Sequence, residues 1–164
     1  MPALYLVRHA IAEDRGPKYP DDTVRPLTRE GKSRMKAIAA GLRTLEPGIK
    51  VILASPLARA QSTAEILRNG LKGDLPVETF EELTPGTPPE DVAVALGRFK
   101  NVSAIALVGH EPDLGQLAAW LIGAEEPLQF KKGGICRIDV AGLPPKKRGR
   151  LNWLATPKML RGLA

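Results

Sequence analysis

Three short apolar runs in this chain each stop abruptly at polar residues. ALYLV at 3–7 is followed by Arg8 and His9, KVILA at 50–54 by Ser55, and SAIALV at 103–108 by Gly109 and His110. Runs of this length rich in Leu, Ile and Val suit buried strands of a parallel sheet, and a polar stop marks the strand end. Successive side chains on a strand point to opposite faces. Arg8 and His9 can therefore serve one site only where the strand has ended and the chain is turning.

The stretches between these runs read as helices and loops. Residues 10–27 are polar and carry Pro17, Pro20 and Pro26, which predicts an ordered loop ending at Thr28 as a helix N-cap. Met35, Ile38, Leu42 and Leu45 then recur at spacings of three and four, predicting a helix that stops at Pro47 and Gly48. Ser55 and Pro56 read as the cap and first position of a second helix running to about residues 69–70. VETF follows at 77–80, with helices predicted over about 89–99 and 113–122 and strands over 135–140 and 150–155. Strands alternating with helices predict a three-layer α/β/α domain around a largely parallel sheet.

A length of 164 residues with 43% hydrophobic content suits one core, so residues 1–164 are read as a single domain. Cys136 is the only cysteine and cannot form an internal disulfide; no secretion signal or membrane span is recognisable. A cytoplasmic, monomeric protein is expected. The net charge of +6 is unevenly placed: residues 1–130 carry 15 Lys+Arg against 17 Asp+Glu, whereas residues 131–164 carry nine against Asp139 alone. This basic segment, centred on Lys131 and Lys132 and on residues 146–150, reads as a solvated turn and tail or as a patch for an acidic partner. Aromatic residues for base stacking are too sparse there to predict a nucleic-acid partner.

His9 and His110 are the only histidines, and both follow apolar runs, while Arg59 falls in the first turn after a third. In open parallel sheets ligands bind beyond the C-terminal strand ends, so Arg8, His9, Arg59 and His110 are expected to converge on one site. Two guanidiniums and an imidazole suit the oxygens of a phosphoryl group, and helix N-termini add donors. The remaining imidazole suits a nucleophile, because nearby arginines disfavour its protonation and keep a lone pair available. Thr63, one turn beyond Arg59, either supports the pocket or faces the sheet, and the latter is expected. A metal site built from His9, His110 and Glu111 or Asp113 is disfavoured: the helical His-to-His spacing of zinc hydrolases is missing and two arginines repel a cation. No cofactor or metal is expected, and no phosphate-loop motif is present.

The segments LVRHAIAE, SPLARAQSTAEIL and VGHEPDLG, spanning about residues 4–115, resemble in order and spacing the three motifs of the histidine phosphatase, or phosphoglycerate mutase-like, superfamily. Within it, the short chain, VRPLT at 24–28, ELTP at 82–85 and Trp153 are similar to the small SixA-type phosphohistidine phosphatases. The resemblance implies His9 as the phosphorylated nucleophile, Arg8, Arg59 and His110 as phosphate ligands, and Glu82 as the counterpart of the general acid, with Glu81 beside it. Ala10 stands where the superfamily usually has glycine.

The expected activity is that of a metal-independent phosphatase working through phospho-His9 on a phosphohistidine-bearing signalling protein such as a phosphotransfer domain. A phosphatase of small phosphate esters and a non-catalytic phosphoprotein-binding module are the alternatives.

Overall fold

A computed structural model of the protein describes residues 1–146 and 148–164; Lys147, in the predicted basic turn, lies outside the described residues. The elements follow in the order β1 (Ala3–Arg8), α1 (Arg29–Thr44), β2 (Val51–Ala54), α2 (Ala58–Leu71), β3 (Val77–Thr79), α3 (Pro89–Ala95), β4 (Ala104–Gly109), α4 (Asp113–Ile122), β5 (Ile135–Asp139), β6 (Arg150–Ala155) and α5 (Pro157–Arg161). Short 3-10 turns form at Asp22–Val24, Glu81–Leu83 and Leu96–Phe99. No helix among the described residues is long and apolar enough to cross a membrane.

The six strands form one sheet in the order β3-β2-β4-β1-β5-β6. β3, β2, β4 and β1 run parallel, while β5 lies antiparallel to both β1 and β6. The expected α/β architecture is thus present, with an antiparallel hairpin at one side of a parallel sheet. Alternation along each strand builds two cores. Tyr5, Val7, Ile52, Ala106 and Val108 face Met35, Leu42, Ala64 and Leu160 on one side, and Leu4, Leu6, Leu53, Ile105 and Leu107 face Val92, Leu96, Leu114 and Leu117 on the other. Helices α1, α2 and α5 therefore cover one face, and α3 and α4 cover the other.

This topology determines where a ligand fits. β1 and β4 are neighbours, yet the chain leaves β1 toward α1 on one face and leaves β4 toward α4 on the opposite face. Such a switch point opens a crevice at the C-terminal strand ends. Arg8 pairs with Gly109 in register, and the His9 N–H donates to the Gly109 carbonyl at 3.0 Å.

Several local expectations need correction. Thr28 does cap α1, its hydroxyl accepting from the Gly31 N–H at 2.9 Å. Leu45 is not core: α1 ends at Thr44, leaving Leu45 exposed. Ser55 is not the cap of α2, which starts at Ala58 after Leu57; its buried hydroxyl lies against the Leu57 N–H ahead of the helix and bonds to His110. α2 ends at Leu71, within a residue of the expected end, and Gly70 lies in its last turn, where an added Cβ would sit 2.4 Å from the Ala39 Cβ; its bareness lets α1 and α2 approach.

Candidate active site

Arg8, His9, Arg59 and His110 converge on a cavity of about 250 Å³, together with Ala12, Glu13, Asp14, Arg15, Arg25, Glu111 and Lys132. β1 supplies Arg8 and its turn supplies His9; α2 supplies Arg59 in its first turn, and the residue after β4 supplies His110. Both histidines and Arg59 are buried.

His9 Nδ1 donates to the Ala10 carbonyl at 2.7 Å. A carbonyl can only accept, so the proton sits on Nδ1 and the lone pair of the neutral ring on Nε2. Burial, followed by the charges of Arg59, Arg8 and Arg25, lowers the His9 pKa to about 4 despite the opposing Ala10 hydrogen bond. The His110 ring lies 5.2 Å from that of His9, centroid to centroid. Burial, then His9 and Arg59, lowers the His110 pKa to about 3. Its Nε2 is 2.7 Å from Ser55 Oγ, and that oxygen also accepts from the Leu57 N–H at 3.3 Å.

The arginines are held from behind. Arg8 Nη1 donates to the Phe130 carbonyl at 2.7 Å. Arg59 donates through Nη1 to the Asp22 carbonyl at 2.9 Å and through Nη2 to Asp22 Oδ2 at 3.0 Å. Asp22 Oδ1 accepts from Arg25 Nε at 2.9 Å, and Arg25 Nη1 donates to the Glu13 carbonyl at 2.6 Å. The two arginines hold the Asp22 carboxyl below the usual carboxylate range, the Arg25 hydrogen bond acting most strongly. Arg8 Nε, Arg59 Nε and His110 Nδ1 are buried and have no hydrogen-bond partner among the described residues. Buried polar groups are nearly always paired, and three such nitrogens in one cationic cavity fit the oxygens of a tetrahedral anion.

Thr63 does more than face the sheet. Its hydroxyl accepts from the Ala10 N–H at 3.0 Å and donates to the Arg59 carbonyl at 2.7 Å, joining the His9 turn to the first turn of α2. Asp22 and Arg25 were not among the sequence-derived candidates; their signal was the polar, proline-bearing loop ahead of a helix cap, which says nothing of what the loop folds over.

Glu82 is the exception among the expected site residues. It stands in the 3-10 turn Glu81–Leu83, where its Oε2 accepts from Arg98 Nη2 at 2.8 Å. It lines a small cleft that shares His110 with the cationic cavity, and not that cavity itself. Glu13 and Asp14 are carboxylates that do line that cavity, whereas Glu111 is occupied by the Gly115 N–H at 2.7 Å.

A family model for the histidine phosphatase superfamily, branch 1, matches residues 4–84, a stretch containing Arg8, His9, Arg59 and Glu82. The chain is 37% identical over 163 residues to an uncharacterized protein of Picosynechococcus, covering 96% of this chain and 98% of that protein. It is 29% identical over 160 residues to the phosphohistidine phosphatase SixA of Escherichia coli, covering 96% of each. A solved structure of the protein histidine phosphatase SixA complexed with tungstate is similar with a TM-score of 0.85 at 28% identity, covering 95% of this chain and 97% of that one.

Proposed function

The chain belongs to the histidine phosphatase superfamily, and from that premise we propose that it is a phosphatase whose nucleophile is His9 and whose substrate is phosphohistidine on a signalling protein. The observation that carries the reading is the pairing of a neutral His9, its Nε2 lone pair freed by the Nδ1 bond to Ala10, with three buried nitrogens able to hold phosphoryl oxygens. No step requires a metal ion.

In this reading Arg8, Arg59 and His110 bind the phosphoryl group and balance the charge that develops on its equatorial oxygens. The Ser55 hydroxyl donates to His110 Nε2, which leaves the N–H on Nδ1 to donate to phosphate. The substrate ring carries a proton from solvent on its other nitrogen; His9 Nε2 attacks phosphorus as the bond from phosphorus to the leaving nitrogen breaks, and that nitrogen keeps the bonding pair, so the ring departs as neutral imidazole. The positive charge on phosphorylated His9 is stabilised through Nδ1–H by the Ala10 carbonyl. Water then attacks phosphorus, releasing inorganic phosphate and neutral His9.

The leaving group decides the preferred substrate. Expelling an alkoxide benefits from a positioned acid, whereas an imidazole that can be protonated needs this less. The position of Glu82 outside the cavity, paired with Arg98, supports phosphohistidine over alkyl esters. Glu13 and Asp14 at the cavity wall favour a second reading, a phosphatase of small esters with one of them as the acid.

The test compares kcat/KM for a phosphohistidine peptide and an alkyl phosphate such as phosphoserine. The expected preference for phosphohistidine is at least about a hundredfold, the scale of a missing general acid. A preference for the ester, with Glu13→Gln or Asp14→Asn slowing the ester alone, would establish the second reading instead.

A further inference from the structure

Beside the phosphoryl cavity, and sharing Arg8 and Lys132 with it, runs a groove of about 440 Å³ between α1, the turn at 131–132 and α5. Its cations come from three separate segments: Arg34 from α1, Lys131 and Lys132 from the turn, and Arg161 from α5. Ile11, Ile38 and Pro157 supply apolar surface between them, and among the described residues no acidic side chain lines it. Arg34 pairs with Glu30 at 2.7 Å. Among the described residues, Lys131, Lys132 and Arg161 take part in no ion pair.

The lysine turn is fastened to the catalytic strand. The Gly133 N–H is shared between the carbonyls of Arg8 and His9 at 3.1 Å each, and the Gly134 N–H donates back to the Lys131 carbonyl at 2.7 Å. Gly133 has φ +85°, and an added Cβ would stand 2.7 Å from Ile38 Cδ1, so the turn also sits tightly on α1. The two lysines are thus exposed on a platform whose position relative to His9 is determined by backbone hydrogen bonds.

Resting on the phosphohistidine reading, we propose that this groove receives a carboxylate-rich face of the protein that presents the phosphohistidine. The charge is complementary and its layout discriminates among anions. A second phosphate of a small molecule is normally gripped by converging arginine forks or backbone N–H groups. Here mostly exposed cations from three separate segments are spread along a groove with apolar surface between them rather than converging on one point, which matches separate carboxylates on an amphipathic protein surface. Continuity through Arg8 and Lys132 would let such a face engage while its phosphohistidine reaches His9.

The test uses two synthetic phosphohistidine peptides, one flanked by glutamates and the other by glutamines, with p-nitrophenyl phosphate as a reporter of the phosphoryl cavity. The enzymes are wild type and the double variant Lys131→Glu/Arg161→Glu, whose changes lie outside that cavity. Wild type is expected to favour the glutamate peptide by about tenfold in kcat/KM at low salt, with the advantage shrinking as salt rises. The double variant should lose that advantage while its aryl phosphate turnover stays within about twofold, since exposed charges act mainly on their own partner. Rapid hydrolysis of both peptides at equal kcat/KM, or equal losses on both in the variant, would overturn the groove assignment alone. A preference for a bisphosphate over its monophosphate that the variant loses would also overturn it, in favour of a small-molecule subsite. Turnover of both peptides slower than that of the aryl ester would overturn the phosphohistidine reading and the groove assignment with it.

Discussion

The hydrogen bond from His9 Nδ1 to the Ala10 carbonyl determines which end of the ring is nucleophilic, and burial among arginines keeps that ring neutral. Its folded-state pKa of about 4, like the value of about 3 for His110, lies below the ordinary value of 6.5. Between these limits the unfolded chain takes up protons that the native state refuses, so both histidines subtract stability as pH falls below 6.5 and cease to do so above it. For one histidine the difference between pH 7 and pH 5 is about 2 kcal/mol. Urea unfolding of wild type and His9→Gln at the two pH values should therefore show the variant losing about 2 kcal/mol less than wild type on acidification. Equal losses would mean that His9 titrates normally in the folded protein. The four residues Arg8, His9, Arg59 and His110 were legible in the sequence because each follows an apolar run that ends sharply. Ser55 was misread because its Ser-Pro context is also a good helix start, and its contact with His110 spans 55 positions. Glu82 was carried by resemblance alone, with no local pattern to reveal its pairing with Arg98.

The helices bring these residues together through close backbone contacts. The missing side chain of Gly41 lets α1 meet α5: an added Cβ would lie 1.8 Å from the Leu160 carbonyl oxygen. Because this neighbour is backbone, no rotamer change relieves the clash. Gly41→Ala gains about 1 kcal/mol of helix propensity yet is expected to lower stability by about 1–3 kcal/mol through overpacking. A reduced urea midpoint at unchanged m-value is the expected result, and a raised midpoint would show that α5 yields freely. Element types were largely readable from periodicity, and α4 matches its predicted bounds of Asp113–Ile122. α5 was not foreseen: five residues give too little periodicity to register, although Thr156 caps it by accepting from the Met159 N–H at 3.2 Å. For Thr63 the sequence leaves pocket support and sheet packing both open and leans to packing, because a β-branched residue on a buried helix face reads the same whether or not its hydroxyl joins two parts of a site.

Across the whole molecule, the site follows from strand order. β4 inserts between β1 and β2, so the chain leaves neighbouring strands toward opposite faces, and the crevice at their ends collects residues from 8 to 132. Alternation of strands and helices foretold the layers and the mainly parallel sheet; it carries no information on how the loop at 10–27 folds back to bring Asp22 and Arg25 against Arg59. The same architecture separates duties between the phosphoryl cavity and the basic groove beside it, with Arg8 and Lys132 common to both. The central claim is covalent transfer to His9, and trapping that species tests it most directly. Wild-type enzyme mixed with a phosphorus-32-labelled phosphohistidine peptide, denatured in base within milliseconds and digested, should yield label on the peptide containing His9, stable in base and lost in acid. His9→Ala, folded by circular dichroism, should give neither label nor turnover. Full turnover by His9→Ala, or label on another residue, would contradict the account.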